Sequence, residues 1–222
     1  MPLTPMICTP EGDRISMSFT RRSILAAGSL AVASTALRGI SLAADATDTR
    51  FTPRELGNPN AKIVVEEWFS LTCIHCAHFA ENTFPQVQKE LIDTGKIRYV
   101  FHDFPTDQLA TVAAMVARTL PPERYEPFCS SLLSSLDRWA YTKEGSPKDE
   151  LKKMAAFAGM PADTFEKAIA DQQLMQFILN QQSEAQDKFH FDSTPTFRFN
   201  NKEQVSSALS YDDFTKYLAK AS

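Results

Sequence analysis

The run Ile63-Val64-Val65-Glu66-Glu67-Trp68-Phe69-Ser70-Leu71-Thr72-Cys73-Ile74-His75-Cys76-Ala77-His78-Phe79 decides the architecture. Its first seven residues are β-branched or aromatic, apolar on both faces apart from the glutamates, the pattern of a strand buried between helices. Ser70-Leu71-Thr72 makes a short turn, and a helix is predicted to begin at Cys73. Ala77, Ala80, Phe84, Val87 and Leu91 then recur at helical spacing and form one buried stripe. Pro85 lies inside that stripe and is expected to kink the helix, and Gly95 to end it. Lys96–Phe104 reads as the next strand, so residues 63–104 make a β-α-β unit, for which parallel pairing is the default.

Outward from this unit the chain changes character twice. From Gln108 to about Phe189 it is helical: Leu109–Leu120, a segment opened by Pro122 and running to about Trp139, a third opened by Ser146-Pro147 and running to Ala158, then Asp163–Ala170 and Leu174–Phe189. Afterwards Thr196–Asn200 alternates like a strand, Asn200-Asn201 supplies a turn, Gln204–Ala208 can return antiparallel, and Tyr211–Ala219 is an amphipathic helix. Upstream, residues 47–61 are polar and proline-punctuated and read as a lead-in loop. The expected organisation is α/β: a core over 62–107 and 190–222 (β-α-β, then β-β-α) interrupted by an all-helical insertion over 108–189.

Composition narrows the function classes. With 43% hydrophobic residues among 222 the chain is no disordered segment, and with 7 Gly it is neither collagen-like nor built from many tight hairpins. A net charge of −4 gives no reason to expect nucleic-acid binding. Four cysteines are too few for a stapled mini-protein, so their spacing carries the information.

Residues 1–46 read as an address rather than as structure. Met17-Ser18-Phe19-Thr20-Arg21-Arg22-Ser23-Ile24-Leu25 opens with paired arginines, and a mildly apolar run extends from Ile24 to Leu37, too short and too polar to span a bilayer. The pattern is that of a twin-arginine export signal, with Ile24 and Ala26 departing from its preferred residues and Met17 as the expected start. An ordinary secretory signal is the other reading. Small residues at 41–46 mark the cleavage region, so the mature protein is expected to leave the cytoplasm with three cysteines, Cys73, Cys76 and Cys129. Disulfides form and persist outside the cytoplasm, and a close pair plus one odd thiol suits redox work better than a structural framework.

Cys73-Ile74-His75-Cys76 sits where a buried strand meets a helix. Residues i and i+3 share a helix face, so a disulfide between them is geometrically comfortable. The first sulfur lies among unpaired backbone N–H groups at the positive end of the helix dipole, and both favour thiolate. His75, if protonated, adds a cation beside it. A stabilised thiolate makes Cys73 a good leaving group, with Cys76, one turn in, as the resolving thiol. Two rivals exist. Zinc could use Cys73, Cys76 and His78 but needs a fourth ligand, for which His102 and His190 remain without ligand-like neighbours. A purely structural disulfide across two residues constrains the unfolded chain little. No cofactor and no metal are expected.

The run Glu67–Phe79 together with Ser193-Thr194-Pro195-Thr196-Phe197 resembles the periplasmic thiol:disulfide interchange proteins of the DsbA type, over roughly Leu56 to Leu218. Ile74 departs from the family's usual proline and Ser193 from its frequent glycine. The resemblance implies a thioredoxin-like core interrupted by a helical domain, Cys73 as nucleophile of low pKa and Cys76 as resolving cysteine. It implies a cis proline at Pro195 lying against the pair, with Thr194 helping to bind substrate backbone. It also makes Glu67 a buried acid beneath the pair. A carboxylate within an apolar strand is costly unless paired or in use, and Arg98 on the next strand is a candidate partner. As plain chemistry Glu67 could carry the proton of Cys76; the bland reading is a strand-end glutamate reaching water.

The expected function is that of a monomeric dithiol oxidase acting on reduced or unfolded exported proteins, reoxidised by a membrane quinone reductase of the DsbB type, as the family implies. An isomerase or reductase of the same fold is the alternative, and Thr194 before Pro195, common in isomerases, keeps it open. A non-catalytic binding or chaperone module is the reading from another class. Cys129 is read as a small buried hydrophobe, and His78, His102 and His190 as surface or packed histidines.

Overall fold

The computed structural model describes residues 48–222. The export-signal reading, with its paired arginines, start residue and cleavage region, lies outside the described residues.

The order of elements follows the expected β-α-β, helical, β-β-α plan with one addition. A 3₁₀ turn at Thr49–Phe51 leads into β1 (Arg54–Gly57), then β2 (Ile63–Phe69), α1 (Ile74–Asn82), α2 (Phe84–Val87) and β3 (Ile97–Asp103). Six helices follow: α3 (Gln108–Thr119), α4 (Pro122–Leu133), α5 (Leu136–Trp139), α6 (Pro147–Phe157), α7 (Ala162–Ala170) and α8 (Gln172–Phe189). The chain closes with β4 (Thr196–Phe199), β5 (Glu203–Ser206) and α9 (Tyr211–Ala221).

The five strands form one sheet in the order β1-β3-β2-β4-β5. β2 and β3 pair in parallel, Ile63 opposite Ile97 and Phe69 opposite Asp103, and every other pairing is antiparallel. Period two then sorts β2 into faces. Val65, Glu67 and Phe69 point into the main core, which also takes Phe79 from α1 and Phe214 from α9. Trp68 points the other way, into a smaller cluster with Phe104, Ala185 of α8 and Phe191.

Three local features depart from the sequence reading. Residues 47–61 are not wholly loop, because Arg54-Glu55-Leu56-Gly57 pairs antiparallel with β3. Four residues, Arg54 to Gly57, are too few to show periodicity, and long-range pairing stabilises them. Gly57 has φ of +90°, and a Cβ there would meet the Ile97 carbonyl at 2.4 Å, so this strand end admits only glycine. The helix after Cys73 does more than kink at Pro85. It stops at Thr83, restarts with Pro85 in its first turn, and continues as a wider-wound segment over Gln88–Ile92. The segment opened by Pro122 breaks at Ser134-Ser135 instead of running to Trp139.

A buried ion pair fixes the helical region to the sheet. Arg118 of α3, 1% exposed, meets Asp103 at the end of β3, and the Tyr125 hydroxyl donates to the other Asp103 oxygen at 2.8 Å. The Arg118 guanidinium also donates to the carbonyls of Arg50 and Thr52, so no donor-rich edge faces hydrocarbon.

Candidate active site

Cys73 is the N-cap of α1 rather than its first residue, with an extended backbone (φ −85°, ψ 120°). Its sulfur accepts from the Cys76 N–H at 3.3 Å, the position a serine or aspartate oxygen takes in other caps. The same sulfur donates to the Thr194 carbonyl at 3.3 Å. Cys73 is half-buried, Cys76 fully buried, and both are free thiols. The Thr194–Pro195 peptide bond is cis, and Pro195 is buried. Thus the two motifs, about 120 residues apart in the chain, meet at one sulfur atom.

The two thiols differ in acidity. The hydrogen bond from the Cys76 thiol lowers the Cys73 pKa to about 5 against the opposing effect of burial, with help from the Thr194 side chain and the backbone N–H groups of Cys76 and His75. Burial, the bond to Cys73 and its nearby charge push Cys76 well above the ordinary thiol range. The outer sulfur thus favours the thiolate and the inner one the protonated thiol. His75 acts on Cys73 through its main chain, while the residue itself is exposed to solvent.

Glu67 lies on the main-core face and is 5% exposed, so it does not reach water. Arg98 is not its partner. The parallel register sets Arg98 opposite Val64, on the other face from Glu67, and Arg98 lies 3.5 Å from Glu55 instead. Glu67 accepts from the Tyr99 hydroxyl at 2.7 Å. Burial raises its pKa to about 7, only partly offset by Tyr99 and reinforced by the charges of Cys73 and Glu126. A carboxyl with this pKa is divided between its two protonation states near neutrality.

Polar contacts hold the turn before Cys73. Thr72 donates to Asp107 at 2.6 Å, Asp107 caps α3, and Ser70 and Thr106 hydroxyls lie 2.9 Å apart. Tyr141, in the loop before α6, donates to the Thr72 carbonyl at 2.5 Å. It also forms a shared wall of two grooves beside Cys73. One, of about 610 Å³, is lined by Leu109, Val112 and Ile169; the other, of about 330 Å³, by Ile74, Ala77 and Leu136. None of Thr72, Asp107 and Tyr141 stands out in the sequence, because each owes its place to a loop.

The remaining candidates lie elsewhere. His78 is exposed on α1, and His190 is the left-handed C-cap of α8. His102 stacks on Trp68 at 4.4 Å and meets Glu66 on the sheet face away from the thiols. Among the described residues no three His, Cys, Asp or Glu side chains are grouped as a metal site. Cys129 is 4% exposed inside the core of α4, where burial raises its pKa well above the ordinary range.

A family model described as thioredoxin matches residues 49–220. The chain belongs to the thioredoxin family. Within it, this thioredoxin-family chain is similar to DsbA proteins. The crystal structure of alpha-DsbA1 from Wolbachia pipientis superposes with a TM-score of 0.71 at 31% identity, covering 77% of this chain and 90% of that one. BdbD from Bacillus subtilis, at 19% identity, shares the fold with a TM-score of 0.66 over 76% of this chain and 92% of its own. A Rickettsia prowazekii protein named as a candidate protein-disulfide oxidoreductase is 28% identical over 167 residues, 75% of this chain. The chain spans about 60% of the length of that relative.

Proposed function

We propose that the chain is a protein thiol:disulfide oxidoreductase that works as a dithiol oxidase on exported proteins through Cys73 and Cys76. The observation that carries the reading is the asymmetry of two thiols on one helical turn: Cys73 half-exposed with a pKa of about 5, Cys76 fully buried and held protonated. A low pKa at the outer sulfur stabilises the reduced protein and so makes its disulfide oxidising. The kinship to alpha-DsbA1 supports the same reading.

The geometry supports the following reaction. A substrate thiolate attacks Cys73 of the oxidised pair, Cys76 leaves as thiolate and takes a proton from Glu67, and a mixed disulfide forms. A second substrate thiol attacks the substrate sulfur of that bond, Cys73 leaves as thiolate, and the substrate gains a disulfide while the pair becomes a dithiol. Thr194 and Pro195 line the approach to Cys73 and offer backbone atoms to the substrate main chain. His75 contributes its N–H to the thiolate. The 62–107 and 190–222 segments, joined by β1, carry the chemistry, and the 108–189 helices wall the grooves beside it. The chain acts as a monomer in the periplasm after removal of residues up to 43–46, and a membrane quinone reductase of the DsbB type reoxidises it.

Equilibration of the pair with glutathione buffers tests this reading. The expected potential lies well above the roughly −270 mV of thioredoxin, and a value at or below it would make the protein a reductant. Refolding of a scrambled-disulfide substrate separates the isomerase alternative: efficient rescue with poor oxidation of reduced substrate would favour it. Cys73→Ala is expected to abolish exchange and Cys76→Ala to trap mixed disulfides; an active Cys73→Ala variant would favour a binding module.

A further inference from the structure

Behind the thiol pair lies a cavity of about 20 Å³, lined by Glu67 from β2, Phe79 and Ala80 from α1, and Glu126, Cys129 and Ser130 from α4. That is enough for about one water, which is retained where two or more polar groups hold it. Glu67, Glu126 and Ser130 are the residues with oxygen-bearing side chains in a lining that is otherwise apolar. Only one protein donor, the Tyr99 hydroxyl on Oε2, is hydrogen-bonded to the Glu67 carboxylate among the described residues, although a carboxylate accepts several. Glu126 is half-buried, one side on this cavity and the other open to solvent. Nothing in a redox core needs a second acid here, and its burial carries a cost unless it serves.

We propose that Glu126 is the outer station of a proton relay, exchanging protons between Glu67 and solvent through a water held in this cavity. The inference rests on the assignment of Glu67 as the proton carrier of Cys76. When the reduced protein resolves a mixed disulfide, Cys76 attacks the Cys73 sulfur, its proton passes to the Glu67 carboxylate, and the substrate sulfur leaves as thiolate. The Cys73–Cys76 bond forms, the substrate is reduced by two electrons, and Glu67 returns its proton by way of the water and Glu126. In the oxidising direction the same path delivers the proton. The water and Glu126 carry the proton on as Glu67 takes it, so without that outlet resolution itself waits for a local opening of the core.

The electrostatics fit this role. Burial raises the Glu126 pKa, and its charge in turn raises those of Glu67, Tyr99 and Cys129. Those three, from β2, β3 and its own helix, are the titratable groups facing it. α1 turns Phe79 and Ala80 toward the cavity, neither of which titrates.

The test is quenched-flow reaction of the reduced full chain with oxidised glutathione, separating attack by Cys73 from resolution by Cys76 across pH. Glu126→Gln keeps the side-chain volume. It is expected to leave Cys73 alkylation by iodoacetamide unchanged but to slow the resolution plateau about tenfold or more, within the range of positioned proton transfer. Its rate limb near pH 7 is expected to move to lower pH, since a like charge beside Glu67 is gone. Glu126→Asp is expected to restore part of the rate, and Glu67→Gln/Glu126→Gln to be no slower than Glu67→Gln alone. A wild-type plateau in Glu126→Gln, or additive losses in the double variant, overturns the relay. If Glu67→Gln slows resolution while Glu126→Gln does not, the relay alone fails; if neither does, the proton-carrier role of Glu67 fails with it.

Discussion

The Tyr99 hydroxyl donates to the Glu67 carboxylate at 2.7 Å, both side chains buried on the core face of adjacent parallel strands. Tyr99→Phe removes the one bond that favours the ionised acid. The pKa of Glu67, about 7 in the native protein, is expected to rise, and the pH limb of Cys76 resolution to move to higher pH. Stability is expected to fall by about 1–3 kcal/mol above neutrality, where a charged acceptor is left unpaired, and by less at pH 5. Urea titrations at the two pH values check the sign.

Cys73 titration is directly measurable. The rate of alkylation in the reduced protein is expected to be half-maximal near pH 5, and Cys76→Ala to raise that midpoint by deleting the thiol whose hydrogen bond lowers it most. A folded pKa below the unfolded one has a definite linkage sign. The reduced form gains stability as pH rises from about 5 toward the ordinary thiol value near 9, holds it above, and loses it as pH falls through 5. Denaturation of reduced wild type against Cys73→Ser over that window is expected to show the gap widening with pH. A constant gap would contradict the assigned acidity.

Arg118→Ala strands Asp103 in the core, where it is 2% exposed. Loss of one partner of a buried ion pair costs about 3–5 kcal/mol. The Tyr125 hydroxyl still reaches Asp103, which favours the lower end of that range. A shift in urea midpoint with unchanged m-value is the expected result.

Ile74→Pro is expected to fold normally. Ile74 is the first residue of α1, where proline's fixed φ is helical and its missing N–H was an orphan donor. Cys73 already has the extended backbone that a following proline requires. The change in stability is expected within about 1 kcal/mol, read by thermal unfolding.

Much of this arrangement was legible in the sequence because it is local. The apolar run at 63–69, the stripe from Ala77 to Leu91 and the proline-opened helices each carry their own periodicity. What escaped depends on partners remote in the chain. β1 is too short to declare itself, and it exists through pairing with β3. Arg98 suggested itself for Glu67 by proximity of strands, but one residue of register places it on the opposite face. The joining of Asp103, Arg118 and Tyr125 needs a strand end and two helices brought together. Glu126 did leave a trace, since it shares helical spacing with Cys129 and Leu133 and so stands on a buried stripe.

The sheet order β1-β3-β2-β4-β5 sets β2 between the strand from which the helices depart and the strand to which they return. Six helices therefore hang from two neighbours of one central ribbon, like a handle fixed on either side of a blade. Lengthening or exchanging that handle would leave the hydrogen-bond ladder of the sheet in place, so the groove walls it supplies can change without displacing Cys73 and Cys76.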